Sequence, residues 1–390
     1  MVTMDTADNV LKSFYLDAVT ESLNMKVNPF LAQIERTSEN VVGKDVKKVL
    51  RMGLNAGLSA GTETGDLPKA KASNYKTFTV PLKNLYGTIE ISDKAIRASA
   101  NNEGAFVNLL NEEMNALLKS ASFNFGRMLF GDGSGALACI NNPPDSNGVV
   151  GVDKVENFVY GMYVRVYDDT ENSYRVVDID RENKTITLYK NDTMTPMQEG
   201  VTSSGENIYL YECQVGNELS GLGAIFGQAE EIYGLNKAAN GLTPYVCENV
   251  GDISESVIQK AIDEAEYKSG SAINFIICSW GVRRALMEYY KNCNVALPTM
   301  EIQGGYTAIN FHGIPIVVDR FCPNGTMYLL NTNSFKLYQL CDWEWLEADG
   351  GKILRQVPGK PVYTATLVKY AELMCDQPHG QAMLTGINEA

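Results

Sequence analysis

The sequence has few of the side chains on which most enzymes depend. It contains only two histidines, His312 and His379, and each lies beside a glycine in a segment typical of a turn. Histidine is the usual group for acid-base chemistry near neutral pH, so the chain offers few candidates for such catalysis. Turn or surface positions are expected for both histidines. We therefore predict no catalytic residue and no enzymatic activity.

Paired cysteines are also missing. The eight cysteines stand singly, without a C-x-x-C pair and without histidines at the spacing of zinc ligands. This pattern is typical of reduced thiols, and we expect most of them to be buried. No metal site and no cofactor site are predicted. The cysteines are Cys139, Cys213, Cys247, Cys278, Cys293, Cys322, Cys341 and Cys375.

Positive charge is scarce, and long apolar runs are absent. The chain has 33 lysines and arginines against 47 aspartates and glutamates, a formal net charge of −14. A protein that grips nucleic acid by counterion release needs clustered basic residues, and none are clustered in this sequence. An acidic surface still permits the chain to face DNA, because repulsion lets the polyanion slide past. No segment resembles a signal peptide or a transmembrane helix, which predicts a soluble protein with no membrane partner.

Three local patterns resemble ligand sites, and structural roles explain them better. The segment Phe130-Gly-Asp-Gly-Ser-Gly135 is rich in glycine, but it follows a helical pattern and lacks the P-loop lysine, so we interpret it as a helix end. Residues 178–189 begin like a calcium loop, yet Asn183 and Tyr189 replace the required glycine and glutamate, which favours a hairpin turn. Paired glutamates at 112–113 and 230–231 fit solvated helix faces.

The dominant feature of the sequence is a long amphipathic segment at residues 103–130. Its apolar residues recur at steps of three and four, which places one stripe along an α-helix. At about 1.5 Å per residue the helix would be about 40 Å long. We predict a spine packed across a sheet. The β-branched and aromatic runs at residues 78–92 and 362–374 are the candidate strands of that sheet.

The N-terminal part is typical of an arm followed by a long hairpin. A short amphipathic turn includes Phe14 and Tyr15, and Asn28-Pro29-Phe30 favours an extended or turning backbone. Residues 42–84 have strand-like ends and a glycine-rich tip, which suits a mobile two-stranded loop. A two-stranded ribbon alone is marginally stable in water, so we expect a neighbouring copy of the protein to support it.

Two further units follow the predicted spine. Pro143-Pro144 breaks the chain, and short alternating runs separated by turns predict a small all-β insertion at residues 149–216 that folds independently. Residues 217–346 mix helical and strand-like segments, with a helix between Ser254 and Gly270, and predict an α/β lobe. Residues 347–390 return to the sheet under the spine.

The order of these elements resembles the major capsid proteins of tailed bacteriophages. The resemblance covers nearly the whole chain outside residues 149–216, and it rests on order and spacing because no single motif is diagnostic. It implies an α+β protein with the Hong Kong ninety-seven-type capsid fold and an inserted small all-β domain. The segments that carry it are Gly65-Asp66-Leu67-Pro68, Leu85-Tyr86-Gly87-Thr88-Ile89-Glu90-Ile91-Ser92, Arg127-Met-Leu-Phe-Gly-Asp-Gly, Gly313-Ile-Pro-Ile-Val-Val-Asp319, Met327-Tyr-Leu-Leu-Asn331 and residues 335–340.

The resemblance also implies a division of the chain and a set of contact residues. The expected regions are an N-terminal arm (1–41), an extended loop (42–84), a peripheral domain with the spine helix (85–148), an inserted β domain (149–216), an axial domain (217–346), and a return strand of the peripheral domain with the C-terminus (347–390). Axial domains of this family pack around fivefold and sixfold axes. At the arm and the loop tip, the residues expected to contact neighbouring subunits are Phe14, Tyr15, Phe30, Glu63, Asp66, Lys69 and Lys71.

The implied function is that of a major capsid protein. Such a protein assembles with itself as pentamers and hexamers into an icosahedral shell around viral double-stranded DNA, without sequence-specific binding. The implied partners are a portal protein and, because the arm begins almost at Met1, a separate scaffolding protein. We expect the inserted domain to face outward, where it braces neighbouring capsomers or receives a decoration protein. The expected location is the virion capsid, after synthesis in the cytoplasm of the host bacterium.

Two other classes of protein fit the sequence, and one modification known in the capsid family is not predicted. Some family members join subunits by a lysine-asparagine isopeptide bond, but nothing in the sequence identifies a partner or an activating acid for Lys69 or Lys71, so we do not predict one. An encapsulin-type compartment shell would use the same fold. An enzyme with an unrecognised site is the third interpretation.

Overall fold

The structure is a computed structural model that describes most of the chain from Asn28 onward. Phe14, Tyr15 and Lys71, together with most of the predicted N-terminal arm, lie outside the described residues. The described residues are 28–53, 55, 57–60, 62–66, 69, 73–94, 103–166, 172–198, 200, 202–294, 299–302, 306–347 and 353–389.

Five α-helices are interspersed among groups of strands in the described part of the chain. The α-helices are α1 (Pro29–Ala32), α2 (Glu103–Met128), α3 (Leu222–Phe226), α4 (Glu255–Ser269) and α5 (Trp280–Asn292). The first eleven strands are β1 (Glu35–Thr37), β2 (Val41–Val42), β3 (Asp45–Met52), β4 (Asn74–Pro81), β5 (Lys83–Ser92), β6 (Ala136–Asn142), β7 (Val149–Val152), β8 (Tyr163–Val166), β9 (Tyr174–Asp180), β10 (Thr185–Lys190) and β11 (Asn207–Leu210). The other strands are β12 (Glu231–Ile232), β13 (Leu235–Asn236), β14 (Tyr245–Cys247), β15 (Phe275–Cys278), β16 (Thr299–Ile302), β17 (Tyr306–Phe311), β18 (Ile314–Val318), β19 (Met327–Leu330), β20 (Phe335–Trp345), β21 (Arg355–Gln356), β22 (Val362–Cys375) and β23 (Ala382–Leu384).

Helix α2 is the predicted spine. It has 26 residues and ends at Met128, two residues before the predicted end. The described side chains of its apolar stripe pack against the sheet, with Met114, Leu118 and Phe125 all inside the core. Gly87 in β5 lets the helix approach closely, because a Cβ atom at that position would lie 2.8 Å from Leu117 Cδ1. The predicted helix and its contact with β5 are confirmed.

The sheet under the spine is built around the long strand β22. Strand β22 pairs antiparallel with β5 along one edge, from Val362 opposite Ser92 to Ala371 opposite Lys83. Strand β20 pairs antiparallel along the other edge, and β1 adds a parallel strand beyond it. The predicted pairing of residues 362–374 with the β5 part of residues 78–92 is confirmed. Residues 78–81 instead lie in β4, which pairs with β3.

A seven-stranded mixed sheet forms the α/β lobe. Its strand order is β14-β23-β19-β15-β18-β17-β16. Apolar side chains of α4 and α5, including Ile258 and Leu286, share a second core with strands β15 and β19. Ser254 precedes α4, and Gly270 ends it with a left-handed φ of 67°. The predicted helix between these two residues is confirmed.

Two strands lie in the opposite sheet from the one that we predicted. Strand β20 belongs to the sheet under the spine, although residues 217–346 were assigned to the axial domain. Strand β23 belongs to the seven-stranded sheet between β14 and β19, although residues 347–390 were assigned to the peripheral domain. Both assignments were wrong, because an alternating apolar strand has the same pattern whichever sheet receives it.

The insertion is a closed six-stranded barrel. The strand order is β10-β7-β6-β11-β8-β9, so the predicted all-β character is confirmed. The barrel has a core of its own, which includes Leu137, Val164 and Leu188. Strand β6 belongs to it, so the predicted boundary at Val149 is wrong and the barrel begins at Ala136. The Pro143-Pro144 pair, which suggested a boundary, lies in the hairpin between β6 and β7.

The chain enters and leaves the barrel at neighbouring points. The Gly216 N–H donates to the Ser134 carbonyl oxygen at 2.8 Å. Beside this contact, the Arg127 guanidinium at the end of the spine forms a buried ion pair with Glu218 at 2.5 Å. Segments whose two ends lie together can be inserted into a parent fold without distorting it. The geometry therefore fits a separately folding unit.

We expect residues 135–214 expressed alone to unfold cooperatively on heating. The reason is that the barrel closes its own hydrogen-bonded edges and buries its own apolar core. Circular dichroism of the fragment measures this. In the full chain, a short glycine-serine linker between Ser134 and Gly216 should leave soluble protein that assembles into fragile particles. An unfolded fragment together with an insoluble linker variant would show that the barrel is part of the parent core.

The cysteines are free thiols with varied exposure. Cys278, Cys322 and Cys375 are buried, Cys293 is exposed, and the other four are partly buried. Our expectation that most would be buried was therefore too strong.

Candidate assembly surfaces

The extended loop is a two-stranded hairpin whose base is fixed to the body. Strands β3 and β4 pair from Asp45 opposite Pro81 to Met52 opposite Asn74. At the base, Phe78 is fully buried and its ring lies 5.3 Å from that of Tyr233. Lys48 forms an ion pair with Asp376 next to β22. These contacts fix the base of the hairpin to the body of the protein.

The distal part of the hairpin exposes apolar side chains on one face. Val49 lies opposite Thr77, and Tyr75 lies opposite Arg51, so Val49 and Tyr75 are diagonal neighbours on the same face. Both side chains are exposed. Exposed apolar groups on a narrow ribbon are typical of a surface that a partner covers.

The loop tip contains three of the four described members of the predicted contact set. Glu63, Asp66 and Lys69 are all exposed. Leu58 is 92% exposed. The contact of these side chains with a neighbouring subunit stays a prediction, as it does for Phe14, Tyr15 and Lys71 outside the described residues.

Phe30 was wrongly predicted to contact a neighbour. Its side chain is fully buried in helix α1. Its ring lies 5.3 Å from that of Phe335 and 6.3 Å from that of Phe130. The aromatic ring therefore joins the start of the described chain to the spine and to β20, and no surface is left for a partner. An isolated phenylalanine after Asn-Pro gave no indication of this burial.

A second exposed surface was missed at the sequence level. The β5 residues that face α2 are Leu85, Gly87, Ile89 and Ile91, which leaves Tyr86 on the opposite face of the sheet. Tyr86 is exposed, and the centroid of its ring lies 6.2 Å from that of Tyr370 in β22, in an edge contact. Leu340 in β20, the strand on the other side of β22, is exposed as well. The strict alternation of β5 could have identified Tyr86 as an apolar side chain on a polar face.

The buried carboxyl of Glu372 lies at the junction of the loop base, β22 and the segment after the barrel. Its Oε1 accepts from the Ser220 N–H at 2.7 Å and from the Leu373 N–H at 3.1 Å. Its Oε2 has no hydrogen-bond partner. The carboxyl borders a cavity of about 460 Å³. Burial raises the pKa of Glu372 to about 8, which keeps the group mostly protonated at neutral pH.

We expect Glu372→Gln to stabilise the protein at pH 8 and to change it little at pH 4.5. The ordinary pKa of the group is 4.5 and the folded value is about 8, so the folded state binds more protons than the unfolded chain between these limits. Stability from this group therefore falls as pH rises through that window, and the variant removes the fall. The expected gain at pH 8 is about 1–3 kcal/mol. Urea unfolding across this pH range measures it.

Other titratable groups lie near Glu372, and two further variants serve as controls for this measurement. Lys83 and Tyr233 act electrostatically on Glu372, and Asp132 and Glu231 line the same cavity. Burial also raises the pKa of Asp319 to about 7, which contributes a slope of the same sign. Asp319→Asn should therefore remove part of the remaining slope, and Glu212→Gln on the surface serves as the matched control. An unchanged slope in Glu372→Gln would contradict the prediction.

The patterns that resembled ligand sites have structural positions. Gly131 N–H donates to the Met128 carbonyl at 3.0 Å, so the glycine segment ends the spine helix as predicted. The segment after Asp180 is the predicted turn between β9 and β10. The glutamates at 112–113 lie on helix α2, as predicted, and Glu113 is exposed. Glu231 lies in β12, so the helix interpretation of the pair at 230–231 was wrong. His312 lies in the turn between β17 and β18, as predicted, whereas His379 lies in a short 3₁₀ helix and is partly buried.

Within the described ranges there is no group of three or more histidines, cysteines, aspartates or glutamates placed to hold a metal ion. In the same part of the chain, every helix is too short or too polar to span a membrane.

Comparison with known proteins gives matches in structure but not in sequence. No protein-family model and no curated protein matches the sequence. A chain of the cyanophage A-1(L) capsid asymmetric unit superposes with a TM-score of 0.57 at 10% sequence identity, over 93% of both chains. Lower TM-scores come from the capsid of an empty GTA particle (0.48, 10% identity, 93% of this chain and 90% of that one) and from the SrpI encapsulin of Synechococcus elongatus PCC 7942 (0.46, 10% identity, 95% of both). The chain is thus an α+β protein with the Hong Kong ninety-seven-type fold that the cyanophage capsid chain also has.

Proposed function

We propose that the chain is the major capsid protein of a tailed bacteriophage. The observation that supports this is the structural match to a cyanophage capsid chain, which extends over 93% of both chains. In this proposal the protein assembles with itself as pentamers and hexamers into an icosahedral shell around double-stranded DNA. Its role is structural rather than enzymatic, and its place is the virion capsid after synthesis in the host bacterial cytoplasm.

In this proposal, two sheets of the fold form two domains of the shell wall. The sheet of β1, β20, β22 and β5 with the spine helix forms the peripheral domain, and the seven-stranded sheet with α4 and α5 forms the axial domain. The barrel adds an outward-facing module to this wall. The hairpin of β3 and β4 forms the extended loop, whose exposed Val49 and Tyr75 favour contact with a neighbouring subunit.

The net negative charge favours a protein that encloses DNA over one that binds DNA tightly. The net charge of −14 opposes tight binding by counterion release, and repulsion keeps the packaged polyanion free to move along the inner wall. Portal, scaffolding and decoration proteins complete the proposal as partners.

Negative-stain electron microscopy of particles from cells that produce the protein tests this function. Closed shells of uniform size that contain DNA, or empty shells of the same size from the protein expressed alone, would support it. Shells filled with protein cargo would favour an encapsulin-type compartment. Small particles at every protein concentration would reject the shell function and leave an enzyme as the alternative.

A further inference from the structure

The outer face of the barrel carries a belt of tyrosines around one arginine. Arg175 of β9 lies opposite Tyr189 of β10 on one side and opposite Tyr163 of β8 on the other. The Tyr211 N–H donates to the Tyr163 carbonyl oxygen at 3.1 Å, which extends the row to the residue that follows β11. The ring of Tyr160 lies 6.0 Å from the Arg175 guanidinium. These five residues form one continuous surface, which we call the aromatic belt.

The belt faces away from the core of the barrel. The neighbours of its members along the strands, such as Val164 and Val176, are fully buried inside. In contrast, Tyr160 is 69% exposed, Tyr163 is 47% exposed and Tyr211 is 38% exposed. A folded domain gains nothing by exposing several large rings together, so the row indicates an interaction surface.

The composition of the belt identifies the chemistry of its partner. Tyrosine and arginine dominate the energetically important centres of protein interfaces. A nucleic acid would require several basic residues, and the belt contains a single positive charge among four neutral rings. The partner is therefore a protein segment that offers an apolar side chain for the rings and a carboxylate for Arg175.

The tip of the extended loop has this composition. Leu58 is 92% exposed, so it contacts almost nothing in its own chain, and Glu63 and Asp66, which follow within eight residues, are exposed carboxylates. Eight-residue strands span about 26 Å at about 3.3 Å per residue, which carries the tip well beyond the fixed hairpin base. Another molecule can therefore reach Leu58, and a second copy of this chain supplies a surface of complementary composition.

We propose that the aromatic belt of one copy receives the loop tip of a neighbouring copy. Leu58 packs against the tyrosines, and Glu63 or Asp66 pairs with Arg175. The two surfaces differ, so the contact is head-to-tail and can repeat from copy to copy around a ring. This inference rests on the proposed function only in its expectation that copies assemble. It adds a contact through which the barrel takes part in that assembly.

Charge reversal in the full-length protein tests the pairing. Arg175→Glu should raise the protein concentration needed for assembly about tenfold, as expected when one interfacial charge pair becomes repulsive. Combining it with Glu63→Lys and Asp66→Lys should return that concentration to within about threefold of the wild-type value, because the attraction is restored with reversed signs. Lys154→Glu, an exposed charge reversal outside the belt, is the matched control and should assemble as the wild type does. Sedimentation velocity measures the assembled fraction, and thermal melting verifies that each variant is folded.

Cysteine crosslinking tests the contact directly. In a Cys293→Ser background, which removes the exposed native thiol, the pair Leu58→Cys and Tyr211→Cys should form covalent oligomers on mild oxidation. Each single cysteine variant should remain monomeric on a non-reducing gel. Crosslinking detects contact between copies whether or not they form closed shells. Covalent oligomers without closed shells would therefore reject the capsid function and support the contact. Closed shells without crosslinks, together with normal assembly of Arg175→Glu, would overturn the contact and keep the capsid function.

Discussion

Replacing Leu118 with aspartate is expected to yield insoluble protein. Leu118 lies on the buried stripe of the spine helix and retains only 4% of its surface in contact with solvent. An ionised carboxylate there would have no partner in the core between the helix and the sheet. An uncompensated buried charge costs about 3–5 kcal/mol or more, a large part of the stability of a typical domain. Expression in bacteria followed by separation of soluble and insoluble fractions measures the effect.

The next residue provides the matched control for this substitution. Lys119 is exposed on the other side of the same helical turn. Lys119→Asp introduces the same side chain one position along and should leave soluble, folded protein, because the new carboxylate stays in water. If Leu118→Asp remained soluble with a normal melting temperature, the stripe could not be the buried face of the spine.

Deleting residues 57–71 is expected to abolish shell formation and leave a soluble subunit. The described part of this segment is exposed, and Leu58 has almost no contact within the chain. The hairpin base that holds the loop to the body remains intact, since Val46, Phe78 and Val80 are all buried outside the deletion. Circular dichroism should show near-normal secondary structure, while electron microscopy should show no closed particles.

A variant of unchanged chain length distinguishes the loss of the side-chain contacts of the loop from the loss of its length. Replacing residues 57–71 with glycine and serine keeps the chain length and removes the large side chains of the loop tip. We expect this variant to fail in assembly as the deletion does. Shells at normal yield from either variant would contradict the assembly role of the loop.

The local elements were predictable because their signals lie within short windows. The spine helix follows from apolar steps of three and four, and strands β5 and β22 follow from β-branched and aromatic runs. Ser254 and Gly270 mark the ends of a helix by capping chemistry that depends only on neighbouring residues.

The errors concern partners that are distant in sequence. Strands β20 and β23 were each assigned to the wrong sheet, because pairing depends on which strand arrives beside them and not on their own pattern. The barrel boundary was misplaced by one strand, since Pro143-Pro144 breaks the chain equally well at a hairpin and at a domain boundary.

The candidate surfaces were predictable only in part. The exposed loop tip at Glu63, Asp66 and Lys69 follows from glycine and polar residues, which rarely build a core. Glu372 could not be identified, because a glutamate in a strand normally predicts a solvent-facing position, and only the packing around it creates the burial. The aromatic belt was hidden for a related reason. Its members come from separate strands, and the barrel registers bring them together.

The position of β23 determines when a newly synthesised subunit can begin to bind its neighbours. This strand lies between β14 and β19, so the seven-stranded sheet stays incomplete until Ala382–Leu384 has left the ribosome. Translation proceeds at about 5–20 residues per second, which separates the synthesis of β19 from that of β23 by a period on the order of seconds. During that interval the lobe lacks one of its interior strands, and a nascent chain cannot present a finished surface to its neighbours. Nascent chains that stop before Ala382 should therefore bind completed subunits far more weakly than chains that contain β23.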